Sequence, residues 1–448
     1  MQARTPGEPN ISHSLLDAPL SKLREPPMTS QASRFKVRSI REGETELFLN
    51  QMCDAFGLDI AIARPIFYND PFFDLSHKRI LIETQSGRII SSLTIVPSAV
   101  RVPGGGAIKV AGIAGVCTTP EYRRKGFAKQ LLRATIQSAP SDFGYSAAAL
   151  STDNPEIYRG VGFETCSNVV HWTAHRKLLP SFPEAETAVQ INLHDAPEQL
   201  KEIQDLYDHS HSSKPGIFIR NSVRWISIEQ SGQASQAIIW RNRGRLEGCL
   251  IYREKTSRRD RILEVLDLIA STTAARRGLI GSLRKMESID LICGQGRPSG
   301  LRNLGLEDTP RFTSFKRQGV MLAILDFDMC LSIIASTGVM TPVVRRSESG
   351  LTIRLENCVS KQDRKPLRLF SVSTERLGVA IGLAPADEMS GDWISVDVGA
   401  MAQLLFGYRS ASDLRSQDRL WISSESALAI ADSLFPSYDT ILSPLDAF

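Results

Sequence analysis

The fold of this 448-residue chain is decided by residues 108–138, IKVAGIAGVCTTPEYRRKGFAKQLLRATIQS. Residues 108–118 are almost wholly apolar, which predicts a strand that is buried on both faces. After residue 123 the apolar residues recur at helical spacing: Phe127, Leu131, Leu132 and Ile136. This pattern predicts a helix that follows the strand after a short turn. A strand, a turn and a helix in this order are typical of α/β domains.

The turn between the predicted strand and helix is strongly basic and contains a glycine. Arg123, Arg124 and Lys125 precede Gly126. A helix N-terminus offers free backbone N–H groups and the positive end of the helix dipole, and phosphates bind there readily. Gly126 allows a close approach of the backbone to an anion, and Ala128 leaves room for it. The alternative is a solvated basic helix start, but the dipole favours acidic residues at that end.

A second pattern lies one strand further along the chain. Residues 145–150 predict another buried strand, a short helix begins at Asn154, and residues 163–173 predict a further strand. The helix contains Tyr158, whose hydroxyl is able to donate a proton to a leaving thiolate. The alternative is a packed aromatic side chain with its hydroxyl at the surface.

Composition excludes several classes of protein. The net charge is only +4, without the concentrated basic stripe that nucleic-acid binding requires. We also expect no membrane segment and no secretory signal, because long apolar stretches are missing from the sequence. The seven cysteines are scattered without a C-x-x-C pair. This spacing gives no support for a metal site and favours reduced thiols in a cytoplasmic protein.

The length predicts two to four domains of about 100–200 residues each. We expect a flexible tail over residues 1–34 and three domains, over residues 35–178, 186–328 and 338–448.

The second domain contains a possible copy of the junction in the first. Residues 114–123 and 268–277 both combine an apolar strand, a Thr-Thr pair and an arginine four residues after the second threonine. The offset of 154 residues is the size of one domain, which indicates a duplication. Chance similarity of two strand-to-helix junctions is the alternative. Ile280 stands where the first copy has Gly126, so the second copy is degenerate.

The two patterns of the first domain, in this order, resemble those of the GCN5-related N-acetyltransferase (GNAT) superfamily. The family loop Gln/Arg-x-x-Gly-x-Gly/Ala is matched by Arg123, Gly126 and Ala128. The family's Tyr-x-x-x-Gly-Phe exit is matched by Tyr158, Gly162 and Phe163. Thr118 departs from the usual Val-x-Val-x-Pro strand end, where the expected contact is made by the backbone.

The whole chain resembles the "enhanced intracellular survival" (Eis) branch of this superfamily. The resemblance implies a fold of the α/β and α+β classes: tandem GNAT domains, the second degenerate, followed by a sterol-carrier-protein-like domain. It implies acetyl-coenzyme A (acetyl-CoA) as co-substrate and an amine acceptor, which is an aminoglycoside, a polyamine-like amine or a lysine side chain. It also implies a homo-oligomer, namely a hexamer.

The resemblance assigns roles to individual residues. Tyr158 would protonate the departing thiolate, and the carboxylate of Phe448 would be the general base, while an apolar anchor is the other interpretation of Phe448. The attack would be direct, with Cys117 as a structural cysteine. The residues expected to bind the co-substrate are Val116, Cys117, Thr118, Arg123, Arg124, Lys125, Gly126, Phe127, Ala128, Lys129, Asp153 and Asn154.

Two other functions are compatible with these patterns. The C-terminal domain could serve a protein that binds a lipid or another apolar ligand, and the first domain could bind coenzyme A only as a sensor. Intact Tyr158 and Phe448 argue against the sensor.

Overall fold

A computed structural model of the protein describes residues 34–447, except for residues 103–104, 213, 231–234, 258–259, 297–311, 337–350, 357–365, 376–377, 384–390 and 439–442. The tail predicted over residues 1–34 therefore lies almost wholly outside the described part, and Phe448 lies outside it as well. The described residues form three β-sheets with helices packed against them. The predicted mixed α/β character of the first two domains is confirmed.

The helices are α1 Thr45–Phe56, α2 Ile60–Asn69, α3 Phe127–Phe143, α4 Pro155–Arg159, α5 Pro197–His211, α6 Ser222–Gln230, α7 Thr273–Arg284, α8 Phe327–Ser336, α9 Val398–Leu405, α10 Ala411–Ser416 and α11 Glu425–Leu434. The strands are β1 Phe35–Ser39, β2 Lys78–Glu83, β3 Ile89–Arg101, β4 Ala107–Thr118, β5 Ala147–Leu150, β6 Glu164–Thr165, β7 Asn168–His175, β8 Val189–Asn192, β9 Gln236–Asn242, β10 Arg245–Thr256, β11 Arg261–Ala270, β12 Leu291–Gly296, β13 Thr313–Gln318, β14 Met321–Ile324, β15 Leu351–Glu356, β16 Pro366–Glu375, β17 Gly378–Leu383, β18 Asp392–Asp397 and β19 Leu420–Ile422.

The first sheet has the order β1-β2-β3-β4-β5-β14-β6 and is covered on both faces. On one face α3 buries Leu131 and Leu132 against apolar residues of β2, β3 and β4. On the other face α1 buries Phe48 and Leu49, and the third domain packs beside it. Coverage of both faces explains why β4 is apolar along nearly its whole length, as the sequence predicted.

The end of β4 separates from its neighbours. Its parallel pairing with β5 covers only Val110, Ala111 and Gly112. On the side of β3 a β-bulge interrupts the antiparallel register, and within the bulge Gly115 has a left-handed φ of +60°. A glycine adopts this backbone conformation without steric cost. The last residues of β4 therefore border an opening between β4 and β5.

Strands are exchanged between the first and the second sheet. The second sheet has the order β13-β7-β12-β11-β10-β9-β8. Residues 164–165 pair antiparallel with residues 321–322 in the first sheet, and residues 168–173 pair antiparallel with residues 313–318 in the second. The strand predicted over residues 163–173 is thus divided between two sheets. This two-stranded ribbon bends at buried Ser167, whose Oγ accepts a hydrogen bond from the backbone N–H of Val320 at 2.8 Å.

The third domain contains the sheet β17-β16-β15-β18-β19 with α9 to α11. It is fixed to the ribbon by polar contacts as well as by apolar packing. Arg419 binds Glu164 of β6 and Asp397, each at 3.1 Å, and the Gln403 side chain donates to the Thr165 carbonyl at 2.8 Å. The third domain therefore holds one edge of the first sheet.

Substitution of Gly319 by alanine tests how much the bend of the ribbon contributes to stability. A Cβ atom at this position would lie 2.2 Å from Ser167 Oγ and 3.1 Å from Val169 Cγ2. Relieving the clash moves the Ser167 hydroxyl away from the Val320 N–H, so Gly319→Ala should destabilise the protein by about 1–3 kcal/mol. Thermal unfolding checks this, with Gly43→Ala as the control because a Cβ there meets nothing within 4 Å. Equal melting temperatures of the two variants would contradict the prediction.

Candidate functional site

The loop between β4 and α3 exposes the N-terminus of a long helix. Gly126 is the N-cap residue of the 17-residue α3 and has a left-handed φ of +84°. Gly126 has no side chain that could accept a hydrogen bond from the first turn of α3, and this turn contains no acidic residue. The N–H groups of this turn and the positive end of the helix dipole therefore remain available to an anion.

The cations predicted around this loop differ in their environments. Arg124 and Lys125 are exposed, and Arg124 has an unusual left-handed φ of 61°. The Arg123 side chain instead donates from Nε to the Thr118 carbonyl at 3.1 Å, which ties the loop back to β4. Lys129 lies one turn further along α3, and a groove of about 420 Å³ extends past it from Gly126. Phe127 and Ala128 begin α3 and are half-buried. The loop and the groove together fit a phosphate-containing ligand.

The end of β4 presents backbone groups to the opening beside β5. The Cys117 carbonyl accepts a hydrogen bond from Ser91 Oγ at 2.6 Å, and the Thr119 N–H donates to the Ile90 carbonyl at 2.9 Å. Both of these groups therefore point toward β3. Because successive residues of a strand direct their backbone groups to opposite sides, those of Val116 and Thr118 face the opening.

The Cys117 thiol is not suited to nucleophilic attack. It is buried, and Sγ lies 3.0 Å from the Ser92 hydroxyl. Burial raises the pKa of the thiol, so it remains protonated at neutral pH. These contacts agree with the structural role that the sequence indicated.

Tyr158 is held by packing in α4, just after the end of β5. Its ring is half-buried and lies edge-on to Phe163, with the ring centroids 6.2 Å apart. Burial raises the pKa of Tyr158, and a hydrogen bond with the Thr152 side chain opposes this effect. The hydroxyl therefore stays protonated at neutral pH and is able to act as an acid.

Thr152 is a contact of Tyr158 that sequence reasoning missed. Its Oγ1 also accepts a hydrogen bond from the Asn154 N–H at 3.0 Å. Asp153 and Asn154 are both exposed next to it. A threonine two residues before the start of the predicted helix gave no separate signal in the sequence.

The corresponding junction in the second domain is closed to an anion. Helix α7 begins at Thr273, directly after the strand end, so the loop that precedes α3 has no counterpart. Thr272 Oγ1 accepts from the Ala275 N–H at 3.2 Å and thereby caps the helix. The same hydroxyl lies 3.0 Å from a carboxylate oxygen of Glu247, which would repel a phosphate. Ile280, which the offset of 154 residues aligns with Gly126, lies within α7 and not in a loop before it.

The residues before Phe448 are anchored in the second domain. Ala447 accepts a hydrogen bond from Arg224 Nη2 at 3.1 Å, and Asp446 is buried. The predicted role of Phe448 itself falls outside the described residues.

The described part of the chain contains no group of three or more His, Cys, Asp or Glu side chains placed to hold a metal ion. None of its helices combines the length and the apolar character that crossing a membrane requires.

Comparisons with known proteins agree with this geometry. Two family models described as "Acetyltransferase (GNAT) domain" match residues 36–166 and 216–316. An uncharacterized N-acetyltransferase of Streptomyces avermitilis is 23% identical over 90% of this chain and 97% of its own. The N-acetyltransferase Eis of Mycobacterium tuberculosis is 23% identical over 75% of this chain and 80% of its own. The crystal structure of a GCN5-related N-acetyltransferase from Anabaena variabilis has a TM-score of 0.74 at 18% identity, covering 93% of this chain and 100% of that one.

Gly126 and Gly144 offer a matched test of the loop. Both have left-handed φ angles, at opposite ends of α3, and neither would bring a Cβ within 4 Å of another group. Either substitution to alanine should therefore cost about 1–2 kcal/mol of stability. Only Gly126→Ala should also weaken coenzyme A binding, by about tenfold, because its methyl group hinders the approach of a phosphate to the helix N-terminus. Calorimetric titration checks this, and equal affinities for the two variants would contradict it.

Proposed function

Because the chain belongs to the GNAT acetyltransferases, and within them to the Eis type, we propose that its first domain acetylates a primary amine by direct attack on acetyl-CoA. The observation that supports this assignment most strongly is the contrast between the two helix starts. The N-terminus of α3 is uncapped and basic, whereas that of α7 is capped by Thr272 and faces Glu247. The co-substrate would therefore bind to the first domain alone.

The proposed binding residues follow the opening beside β4. The backbone of Val116 and Thr118 would pair with the pantetheine amides in the manner of an added strand. The N–H groups of the first turn of α3, together with Arg124 and Lys125, would bind the pyrophosphate. Asp153 and Asn154 would contact the pantetheine arm from the end of β5.

The proposed reaction forms a bond between the amine nitrogen and the thioester carbonyl carbon and breaks the carbon–sulfur bond. The acceptor ammonium must first lose a proton, for which the Phe448 carboxylate is the proposed base. Tyr158 would give its proton to the departing thiolate, and the second proton that the nitrogen loses as the amide forms would restore the Tyr158 hydroxyl through solvent. Positioning of the two substrates supplies much of the rate, and no covalent enzyme intermediate is needed.

The acceptor is proposed to be an aminoglycoside, a polyamine-like amine or a lysine side chain. A panel of amines from these three classes, assayed by release of free coenzyme A thiol, would identify it. Failure of every amine to stimulate thiol release would argue against the proposed activity.

The assignments of the sterol-carrier-like domain, the hexamer and the lipid-binding alternative remain predictions. Native mass spectrometry tests the last two together, since it reports both subunit number and any co-purified lipid.

Tyr158→Phe tests the proposed acid. The variant should lose about 10²-fold in kcat, since general acid catalysis contributes about 10²–10⁴-fold, while the KM for acetyl-CoA changes by less than about twofold. Tyr252→Phe, in the second domain, is the control and should keep its activity.

The raised pKa of Tyr158 adds a second check of its role as the acid. Tyrosinate cannot donate a proton, so any loss of kcat from ionisation of Tyr158 should occur only above about pH 10 and should be missing from Tyr158→Phe. A variant with wild-type kcat would exclude this role.

Phe448 tests the proposed base. Deletion of Phe448 moves the terminal carboxylate by one residue and should lower kcat by about 10²-fold or more. Phe448→Ala keeps the carboxylate at position 448 but removes the ring, and it should retain most of the activity. Steady-state assays of both variants distinguish a base from an apolar anchor, because loss of an anchor would make the alanine variant and the deletion similarly defective.

A further inference from the structure

The second domain has a cleft in the same place as the opening in the first. β11 and β12 pair in parallel only from Ile262 and Leu291 to Val265 and Gly294, and then separate. A cavity of about 200 Å³ lies at the separation, and β11 and β12 both contribute to its lining. The offset of 154 residues places this separation within one residue of the point where β4 leaves β5.

Residues 443–447 border this cleft on the side of β11. Ser443 Oγ donates to the Leu266 carbonyl of β11 at 3.2 Å. Leu445 is buried in the core that α5, α6 and the face of β11 form. Arg224 of α6 donates from Nη2 to the carbonyls of Leu445 at 3.0 Å and Ala447 at 3.1 Å. The segment is thus held by its backbone and by its side chains.

A buried ion cluster fixes the segment at Asp446. Arg220 is fully buried and donates from Nε and Nη2 to the two Asp446 carboxylate oxygens, at 2.7 and 2.9 Å. Its Nη1 lies 2.6 Å from Asp267 of β11. The guanidinium also lies over the Tyr207 ring, 4.2 Å from the centroid. A carboxylate at position 446 is therefore recognised in both charge and shape.

We propose that the β11 side of this cleft, together with α5 and α6, is a peptide-binding site whose occupant is the chain's own segment 443–447, next to the place that corresponds to the proposed acetyl-CoA site of the first domain. The degenerate domain would then be a receptor for this segment, with Arg220 and Arg224 as its positioning residues.

The residues that hold segment 443–447 lie next to the first domain. Residues 216–219 pair with the end of β3, so Arg220 directly follows a piece of chain attached to the first sheet. Burial lowers the pKa of Arg224, and the nearby carboxylate of Asp70 opposes this effect. Asp70 directly follows α2 of the first domain. Resting on the proposed function, docking of residues 443–447 would hold Ala447 on a part of the second domain that adjoins the first, as the proposed role of Phe448 requires.

A peptide added in trans tests this docking. A variant that ends at Leu442 should bind the synthetic peptide Ser-Pro-Leu-Asp-Ala-Phe saturably, measured by calorimetry. A peptide with asparagine in place of the aspartate should bind about tenfold or more weakly, because the bidentate contact with Arg220 is lost. The same aspartate peptide should restore acetyl transfer with the concentration dependence of binding.

The outcomes separate the docking from the proposed chemistry. Binding without restored activity would support the docking site and overturn the proposed base. Equal binding of the aspartate and asparagine peptides, or no binding to a folded truncated variant, would overturn the docking site.

The full-length chain provides a second test if truncation prevents folding. Asp446→Asn and Arg220→Lys should expose the final residues to carboxypeptidase, with at least about tenfold faster removal followed by intact mass, while circular dichroism remains unchanged. Arg415→Lys, which alters a surface pair with Glu425, is the control. Equal digestion rates for all three variants and the wild type would overturn the docking site.

Discussion

The parallel pairing of β4 with β5 ends at Gly112 and Ala149, and backbone groups beyond that point need other partners. Unpaired polar groups inside a protein cost free energy. In the first domain the opening is suited to an extended ligand that supplies amide groups of its own. In the second domain β11 leaves β12 in the same way, and residues 443–447 border the gap. One geometric constraint therefore creates two sites for extended chains.

The helix that follows each opening determines which site accepts an anion. Before α3, residues 123–126 form a basic loop, and Gly126 leaves the helix N-terminus uncapped. Before α7 the loop is missing and Thr272 Oγ1 accepts from the N–H of Ala275 in the first turn. A change of a few residues at the junction thus separates the proposed acetyl-CoA site from one that retains only the strand geometry. The two domains share a scaffold but differ in the charge offered to a ligand.

Sequence reasoning identified the local units but not how they combine. The strand–loop–helix over residues 108–138 was predictable because periodicity and glycine placement act over a few residues. Helix α2 was missed because it contains Pro65 and leaves Ile62 and Ile66 exposed, so it lacks a regular apolar face. The exchange of β7 and β14 was missed for another reason: strand alternation is the same whichever sheet a strand joins. The partners Arg220 and Asp446 are 226 residues apart, and their polarity alone does not indicate that they meet.

The cost of burying Arg220 indicates what the ion cluster contributes. Removing a guanidinium from water costs several kcal/mol, and attraction to buried carboxylates rarely returns much more than that cost. Two carboxylates, from Asp446 and Asp267, and two aromatic rings, from Tyr207 and Trp225, surround the cation. Apolar packing of Leu445 alone would hold the segment without fixing its register, because hydrophobic contact is non-directional. The bidentate contact at Asp446 admits one register, so the position of Ala447 relative to β11 becomes a fixed property of the fold.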